Sequence, residues 1–215
     1  MHCPLCGSRR VPPFATQGVR RFLRCGRCDL IFLDPAQRLG PGEERARYET
    51  HRNDPRDPDY RTFLDRLFAP LLERLAPGAR GLDYGSGPGP TLSRMLTEAG
   101  HPTVDYDPFF ARREELLDRT WDFVTCSETA EHFFDPGREF RRLDRLLAPG
   151  GWLGLMTGIV DDTVDFGAWW YARDPTHVAF YSQAALAWIA EERGWELHPV
   201  ADTVVFFRKP AAASG

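Results

Sequence analysis

The sequence predicts an α/β domain of three layers on a mostly parallel sheet, with a small cysteine-rich module ahead of it. Three features carry that prediction. From Tyr60 onward, short apolar runs alternate with segments of helical periodicity. The first such run leads into a glycine-rich bend, Asp83-Tyr84-Gly85-Ser86-Gly87-Pro88-Gly89, with a helical pattern directly after it. Two Cys-x-x-Cys pairs, Cys3/Cys6 and Cys25/Cys28, stand near the start of the chain.

A chain of 215 residues can bury a core and still carry a small appendage. With 42% hydrophobic and 27% charged residues and a net charge of -4, the composition is that of a globular protein. No apolar run approaches the roughly 20 residues that a bilayer span requires, so no membrane association is expected. The opening His-Cys-Pro-Leu-Cys has no signal-peptide pattern, and the expected location is cytoplasmic. In a reducing compartment such cysteine pairs read as metal ligands rather than disulfides.

Charge is unevenly spread. Residues 1–33 carry six arginines (Arg9, Arg10, Arg20, Arg21, Arg24 and Arg27) against Asp29, formally +5, which leaves -9 for the remainder. Four thiolates on one Zn2+ would lower the module to about +3. Such a surface suits a phosphate-bearing partner, and equally a solvated arginine face. The acidic remainder argues against broad nucleic-acid binding.

The elements follow in order. Residues 1–35 read as a zinc ribbon whose metal is bound by Cys3, Cys6, Cys25 and Cys28; Gly7 and Gly26 turn the two knuckles, and short β-like runs lie between. So small a module holds no core of its own, and the metal would supply much of its folding energy. Residues 36–59, rich in Pro, Gly and charge, read as a linker with one helical piece around Glu43–Thr50. Phe63, Leu64, Leu67, Phe68, Leu71, Leu72 and Leu75 then recur at helical spacing until Pro77-Gly78 ends the run. After it come strand Gly81–Tyr84, helix Thr91–Ala99, strand Thr103–Tyr106, helix Arg112–Asp118 and strand Trp121–Cys126. Helix Gly137–Leu147, strand Trp152–Met156 and helix Ser182–Arg193 complete the alternation. Two closing strands, near Glu196–Val200 and Thr203–Phe207, are close enough to form a hairpin, which makes the last strand antiparallel. The main domain thus spans residues 60–210, and residues 211–215 read as a disordered tail.

The bend from Gly85 to Gly89 is spaced GxGxG, and Pro90 breaks the GxGxxG of dinucleotide sites. No Gly-Lys-Ser/Thr follows, so the Walker pattern is absent as well. Asp83 precedes the first glycine by two residues, and Asp107 ends the second strand, where a carboxylate can accept from both hydroxyls of a ribose. Taken with YDP at Tyr106–Pro108, WDFVTCSETAEH at Trp121–His132 and LLAPGG at Leu146–Gly151, this order of motifs resembles the class I S-adenosylmethionine-dependent methyltransferases. The cysteine prefix is similar to one preceding that domain in a set of bacterial methyltransferases.

The resemblance implies a Rossmann-like methyltransferase sheet and methyl transfer from S-adenosylmethionine. It implies that Asp83, Tyr84, Gly85, Ser86, Gly87 and Gly89 hold the methionine portion and that Asp107 holds the ribose. Pro108 and Phe109 would pack near adenine, with backbone at Cys126 and Ser127 on the cofactor's other side. One departure stands out: only a short stretch separates the second strand from Trp121, so the family's third strand is shortened or missing. The adenine-binding residue that follows that strand in the family is left unassigned.

The remaining question is the turn Glu128-Thr129-Ala130-Glu131-His132. On a helix, positions i, i+3 and i+4 share a face. The ExxEH set with a later loop histidine, His177, resembles the metal site of small-RNA 3′-terminal 2′-O-methyltransferases and the Glu/Glu/His set of quinone-pathway O-methyltransferases. That likeness implies a second divalent metal (Mg2+, Mn2+, Fe2+ or Zn2+) on Glu128, Glu131, His132 and His177. The competing reading keeps His132 and Glu131 as the catalytic acid/base or orienting groups, with Glu128 capping backbone N–H groups and His177 pinning its loop. Trp169, Trp170 and Tyr171 read either as an acceptor lid or as core aromatics. The function expected is O-methylation of a small-molecule or RNA-terminal acceptor, metal-assisted where the acceptor is a vicinal diol or catechol. The alternative is a non-catalytic protein that senses the cofactor and binds RNA or a partner through the basic ribbon.

Overall fold

The computed structural model describes residues 1–50 and 53–212. The last three residues of the expected tail lie outside them. The first elements are β1 (Pro13–Gln17), β2 (Arg20–Arg24), β3 (Ile31–Leu33), α1 (Pro41–Tyr48) and α2 (Pro58–Leu72). Next come β4 (Gly81–Tyr84), α3 (Thr91–Glu98), β5 (Thr103–Tyr106), β6 (Trp121–Ser127), α4 (Pro136–Leu146) and β7 (Leu147–Met156). The chain closes with β8 (Ile159–Val160), β9 (Ala179–Ser182), α5 (Gln183–Arg193), β10 (Glu196–Ala201) and β11 (Val204–Arg208).

The main sheet has the order β10-β11-β7-β6-β4-β5. β5, β4, β6 and β7 run parallel, whereas β11 is antiparallel to β7 and pairs with β10 as the expected hairpin. β5 is the sheet edge. Between Tyr106 and Trp121 lie only a bridge between Asp107 and Ala111 and a short 3₁₀ turn, Glu114–Asp118. The third strand is therefore missing, and the helix expected over Arg112–Asp118 is that turn.

Alternation along the strands builds the layers. Phe123, Met156, Val204 and Phe206 meet Leu64, Leu67, Leu71, Leu92 and Leu96 of α2 and α3. On the opposite face Val124, Leu153, Leu155, Val205 and Phe207 meet Phe140, Leu143, Leu146, Leu186 and Ile189 of α4 and α5. Each fully buried Leu or Phe is worth about 1.5–3 kcal/mol relative to exposure. The helix starts obey ordinary capping chemistry. The Asp135 side chain accepts from Arg138 N–H at 2.9 Å, Ser182 Oγ accepts from Ala185 N–H at 3.1 Å, and Gly194 closes α5 at φ 67°.

The cysteine module is joined to this body. A second sheet runs β1-β2-β3-β9-β8, with β3 antiparallel to β9. Leu5, Leu30 and Phe32 enter the core beneath α4 and α5, while Phe22, Ile31 and Leu33 pack with Phe166, Tyr171 and Phe180. Pro4 O accepts from Gly137 N–H at 3.0 Å at the start of α4, and Asp29, held at φ 62°, accepts from Ser182 Oγ at 2.6 Å at the start of α5. Both knuckles thus dock on helix N-termini, and Leu5, Phe22, Leu30, Ile31, Phe32 and Leu33 of the module are buried, while Phe14 and Val19 stay exposed.

Candidate active site

The carboxyl ends of β4, β5 and β6 open into a cavity of about 630 Å³. Among its walls are Asp83, Tyr84, Gly85, Ser86, Gly87, Gly89, Asp107, Pro108, Phe109, Ser127, Glu128, Glu131, His132 and His177. Cys126 does not line it; its side chain is fully buried in the core, which pushes the thiol well above its ordinary value.

The glycine bend is shaped by local sterics. Gly85 sits at φ 83° and Gly87 at φ 65°, conformations that side-chain-bearing residues rarely hold. Asp107 tethers the bend: its Oδ2 accepts from Gly87 N–H at 2.9 Å, and Oδ1 accepts from Phe109 and Phe110 N–H at 2.8 and 3.0 Å. Oδ2 carries a single bond and keeps acceptor capacity toward the cavity. Asp83 accepts from Thr125 Oγ1 at 2.7 Å. Burial, with Asp105 and Asp107 nearby, pushes its carboxyl up to about 7. Tyr84 stacks on Tyr106 at 5.3 Å and donates its hydroxyl to Glu139, beside Arg142.

The ExxEH segment is not one helical turn. β6 runs through Ser127, Glu128 takes φ 48°, and only Ala130–His132 form a 3₁₀ turn. Three ligand-capable groups nevertheless converge. Atoms of Glu131, His132 and His177 lie within 4.8 Å of one another, and Glu128 is outside that group. His132 Nδ1 is 3.0 Å from Thr176 O, and His177 Nδ1 is 2.7 Å from Tyr171 O. A carbonyl can only accept, so each Nδ1 carries a proton, and the lone pair of the matching tautomer is on Nε2. Burial also lowers the His177 pKa, favouring the neutral ring.

Glu131, fully buried, accepts from Tyr171 OH at 2.5 Å and from Thr157 Oγ1 at 2.8 Å. Glu128 does not cap a helix; its Oε2 lies 3.3 Å from Tyr171 OH, whose one proton goes to Glu131. Burial and the Glu131 charge push its carboxyl up to about 8. The loop aromatics divide their roles. Trp169 packs on Phe166 and Phe180, Tyr171 is buried beneath the carboxylates, and Trp170, 70% exposed, stands at the cavity wall.

Sequence reasoning missed the contribution of residues 36–59. Glu44, Tyr48 and Asn53 line the cavity, and the Tyr48 ring stands 5.1 Å from His132 and 5.6 Å from Phe109. A lone tyrosine in the charged run Gly42–Thr50 was the available signal. Tyr60 and Phe63 from α2 complete that wall.

The four cysteine sulfurs also converge within 4.8 Å of one another, with Cys3–Cys28 and Cys6–Cys25 each at 3.5 Å. A tetrahedral zinc with Zn–S of about 2.3 Å separates its sulfurs by about 3.8 Å, so the donor set fits such an ion. Without a cation the thiols cannot ionise together: the Cys28 hydrogen bond lowers Cys3 to about 5, and Cys28 is raised in return.

Comparisons with known proteins agree with this fold. The family described as "Methyltransferase domain" matches residues 56–200, more than half of the chain. A ubiquinone biosynthesis O-methyltransferase from Paracidovorax citrulli (strain AAC00-1) is 28% identical over 92 residues, which span 42% of this chain and 39% of that relative. Among solved structures, the Burkholderia thailandensis 1,6-didemethyltoxoflavin-N1-methyltransferase, with 1,6-didemethyltoxoflavin and S-adenosylhomocysteine bound, is similar at TM-score 0.56 and 16% identity. That match covers 92% of this chain and 99% of the other. An O-methyltransferase family protein from the same organism is similar at TM-score 0.54 and 13% identity, covering 73% and 59% of the respective chains. These likenesses share the class I α/β fold. With its glycine bend, its two strand-end aspartates and the matched domain, the chain belongs to the methyltransferase-domain family.

Proposed function

We propose that this protein transfers a methyl group from S-adenosylmethionine to an oxygen of a small-molecule or RNA-terminal acceptor. One observation carries the acceptor side of this reading: the carboxylate of Glu131 and the imidazoles of His132 and His177 meet on the wall of the cavity that the glycine bend enters. The cavity suits the cofactor in its donors as well as its size. Ser86 Oγ and Ser127 Oγ are buried at this wall with no hydrogen-bond partner among the described residues, two hydroxyls that a polar ligand could satisfy.

Bound S-adenosylmethionine supplies a methyl group already activated by its sulfonium, which leaves the protein mainly the task of in-line positioning. Asp107 would accept from the ribose hydroxyls, Pro108 and Phe109 would pack on the adenine, and the bend from Gly85 to Gly89 would pass under the methionine portion. Asp83 would present its carboxylate to the ammonium group there. Tyr171 and Thr157 hold Glu131 in one orientation, and the Thr176 carbonyl keeps the His132 lone pair on Nε2, suited to accept a hydroxyl proton. In the alternative arrangement a divalent cation on Glu131, His132 and His177 would take the His132 Nε2 lone pair and supply Lewis acidity toward an acceptor hydroxyl in place of the base, which favours a vicinal diol or catechol. The exposed Trp170 and the Tyr48 ring would flank a planar acceptor. Zinc on Cys3, Cys6, Cys25 and Cys28 is the structural part of the same proposal.

Calorimetry with S-adenosylmethionine and S-adenosylhomocysteine is expected to give one site per chain, and absence of binding would sink the cofactor assignment. Mn2+ is expected to broaden the His132 and His177 imidazole resonances selectively; unbroadened signals would discard the second metal. Labelled methyl transfer into metabolite and RNA pools identifies the acceptor and separates an enzyme from a cofactor sensor. Zinc analysis of Cys3→Ser, expected to lose the ion, tests the ribbon.

A further inference from the structure

Arg20 lies on β2, in the cysteine module, and does not line the cavity. Its guanidinium nevertheless binds the loop that supplies part of the cavity wall. Nη1 donates to Ala172 O and, at 2.9 Å, to Asp174 O, and Nη2 donates to His177 O at 2.7 Å. Neighbouring Gln17 donates to Gly167 O at 3.2 Å and to Trp169 O at 3.0 Å. The segment 167–177 contains only the 3₁₀ turn Trp170–Arg173, and besides these side-chain donors Trp169 O accepts from Ala172 N–H and Asp174 O from His177 N–H, each at 3.2 Å. Buried carbonyls left without donors are costly, and the five-donor planar fork of arginine can serve several at once.

The loop is held from two further directions. Arg47 of α1 donates to Asp174 Oδ2 through Nε and Nη2 at 3.1 and 2.6 Å. Directly after His177, Val178 N–H donates to Glu131 O at 2.8 Å, and Val178 O accepts from Leu33 N–H of the cysteine module at 2.9 Å. The Arg20 side chain is half-buried over the Phe22 ring at 5.1 Å, and burial lowers its pKa. A desolvated guanidinium facing three carbonyls is not a solvated surface arginine.

We propose that Arg20 is a positioning residue for the acceptor half of the site: its guanidinium, carried by the cysteine module, fixes the loop that sets Tyr171 and His177 against Glu131 and His132. The cysteine module is thereby a structural part of the active site. This rests on the proposed methyltransferase function only in naming that half of the cavity; the clamp stands on geometry alone.

The test compares full-length, zinc-loaded wild type with Arg20→Met, Arg20→Lys and Arg21→Met, no other divalent ion being added. Arg21 serves as control because it pairs with Asp34 on the same hairpin. In Arg20→Met, imidazole nitrogen NMR is expected to show His177 losing its single Nδ1–H tautomer. Amide exchange of residues 172–178 is expected to accelerate at least about tenfold. S-adenosylhomocysteine affinity should stay within about twofold of wild type. Arg20→Lys, a point charge, should fall between, and Arg21→Met should match wild type. Unchanged His177 signals and loop protection in Arg20→Met would overturn the proposal. So would a parallel loss of S-adenosylhomocysteine affinity, which a general loss of structure produces. If Arg20→Met does not fold, Arg20→Lys decides by the same readouts. Failure of wild type to bind S-adenosylhomocysteine would reject the cofactor reading, while the His177 signals still decide the clamp.

Discussion

Asp83 is the group whose substitution separates stability from ligand binding most cleanly. Its carboxyl is 4% exposed, and burial raises its pKa from 3.8 to about 7. The folded state therefore holds this proton more tightly than the unfolded chain does. The stabilisation from the protonated carboxyl is fully present below pH ~4 and is lost as pH rises through about 7. A rise of about three pKa units at 1.36 kcal/mol each corresponds to about 4 kcal/mol lost across that window. Asp83→Asn is neutral throughout, and its carbonyl can still accept from Thr125 Oγ1. In urea titrations of cofactor-free protein, the variant should lie within about 1 kcal/mol of wild type at pH 4.5 and exceed it by about 3 kcal/mol at pH 8. Glu128, also raised, contributes to the slope in both proteins and cancels in the difference. At pH 8 the variant should bind S-adenosylmethionine more weakly if, as proposed, the carboxylate that costs stability is the one that faces the ammonium group. A stability difference that is constant with pH, or that turns against the variant as pH rises, would refute the reasoning.

Gly85→Ala places a Cβ 2.2 Å from Thr129 Cγ2 at a φ of 83°. It should lose at least about 2 kcal/mol of stability, with weaker S-adenosylhomocysteine binding by calorimetry. Tyr171→Phe keeps the ring but removes the 2.5 Å donor to Glu131 Oε1. Denaturant titration should show a loss of about 1–3 kcal/mol, and wild-type stability would mean that Tyr171 does not hold this carboxylate.

Several elements are legible from local pattern alone. Gly81–Tyr84 and Thr103–Tyr106 were delimited by the sequence because short apolar runs end there at glycine, proline or aspartate punctuation. The missing third strand follows from chain length: the stretch from Asp107 to Thr120 is too short for a strand and its crossover helix. Four cysteines in paired spacing announced their cluster, and the order of strand-end motifs announced the methyltransferase sheet. The turn of Glu128–His132 was not legible as drawn. Its i, i+3, i+4 spacing suggests one helix face, yet Glu128 continues from a strand at φ 48° and stays outside the Glu131–His132–His177 group.

Local pattern settles whatever depends on near neighbours: the period of apolar residues, glycine bends, caps and cysteine spacing. Backbone sterics and side-chain direction act over a few residues, so those features do not wait for the rest of the fold. Long-range packing sets α1 over the cavity, pairs β3 with β9, and brings Arg20 to the loop of His177, 157 residues away. Such contacts are chosen by which buried surfaces meet and which backbone groups still lack partners once they do. Neither is a property of any short stretch of chain.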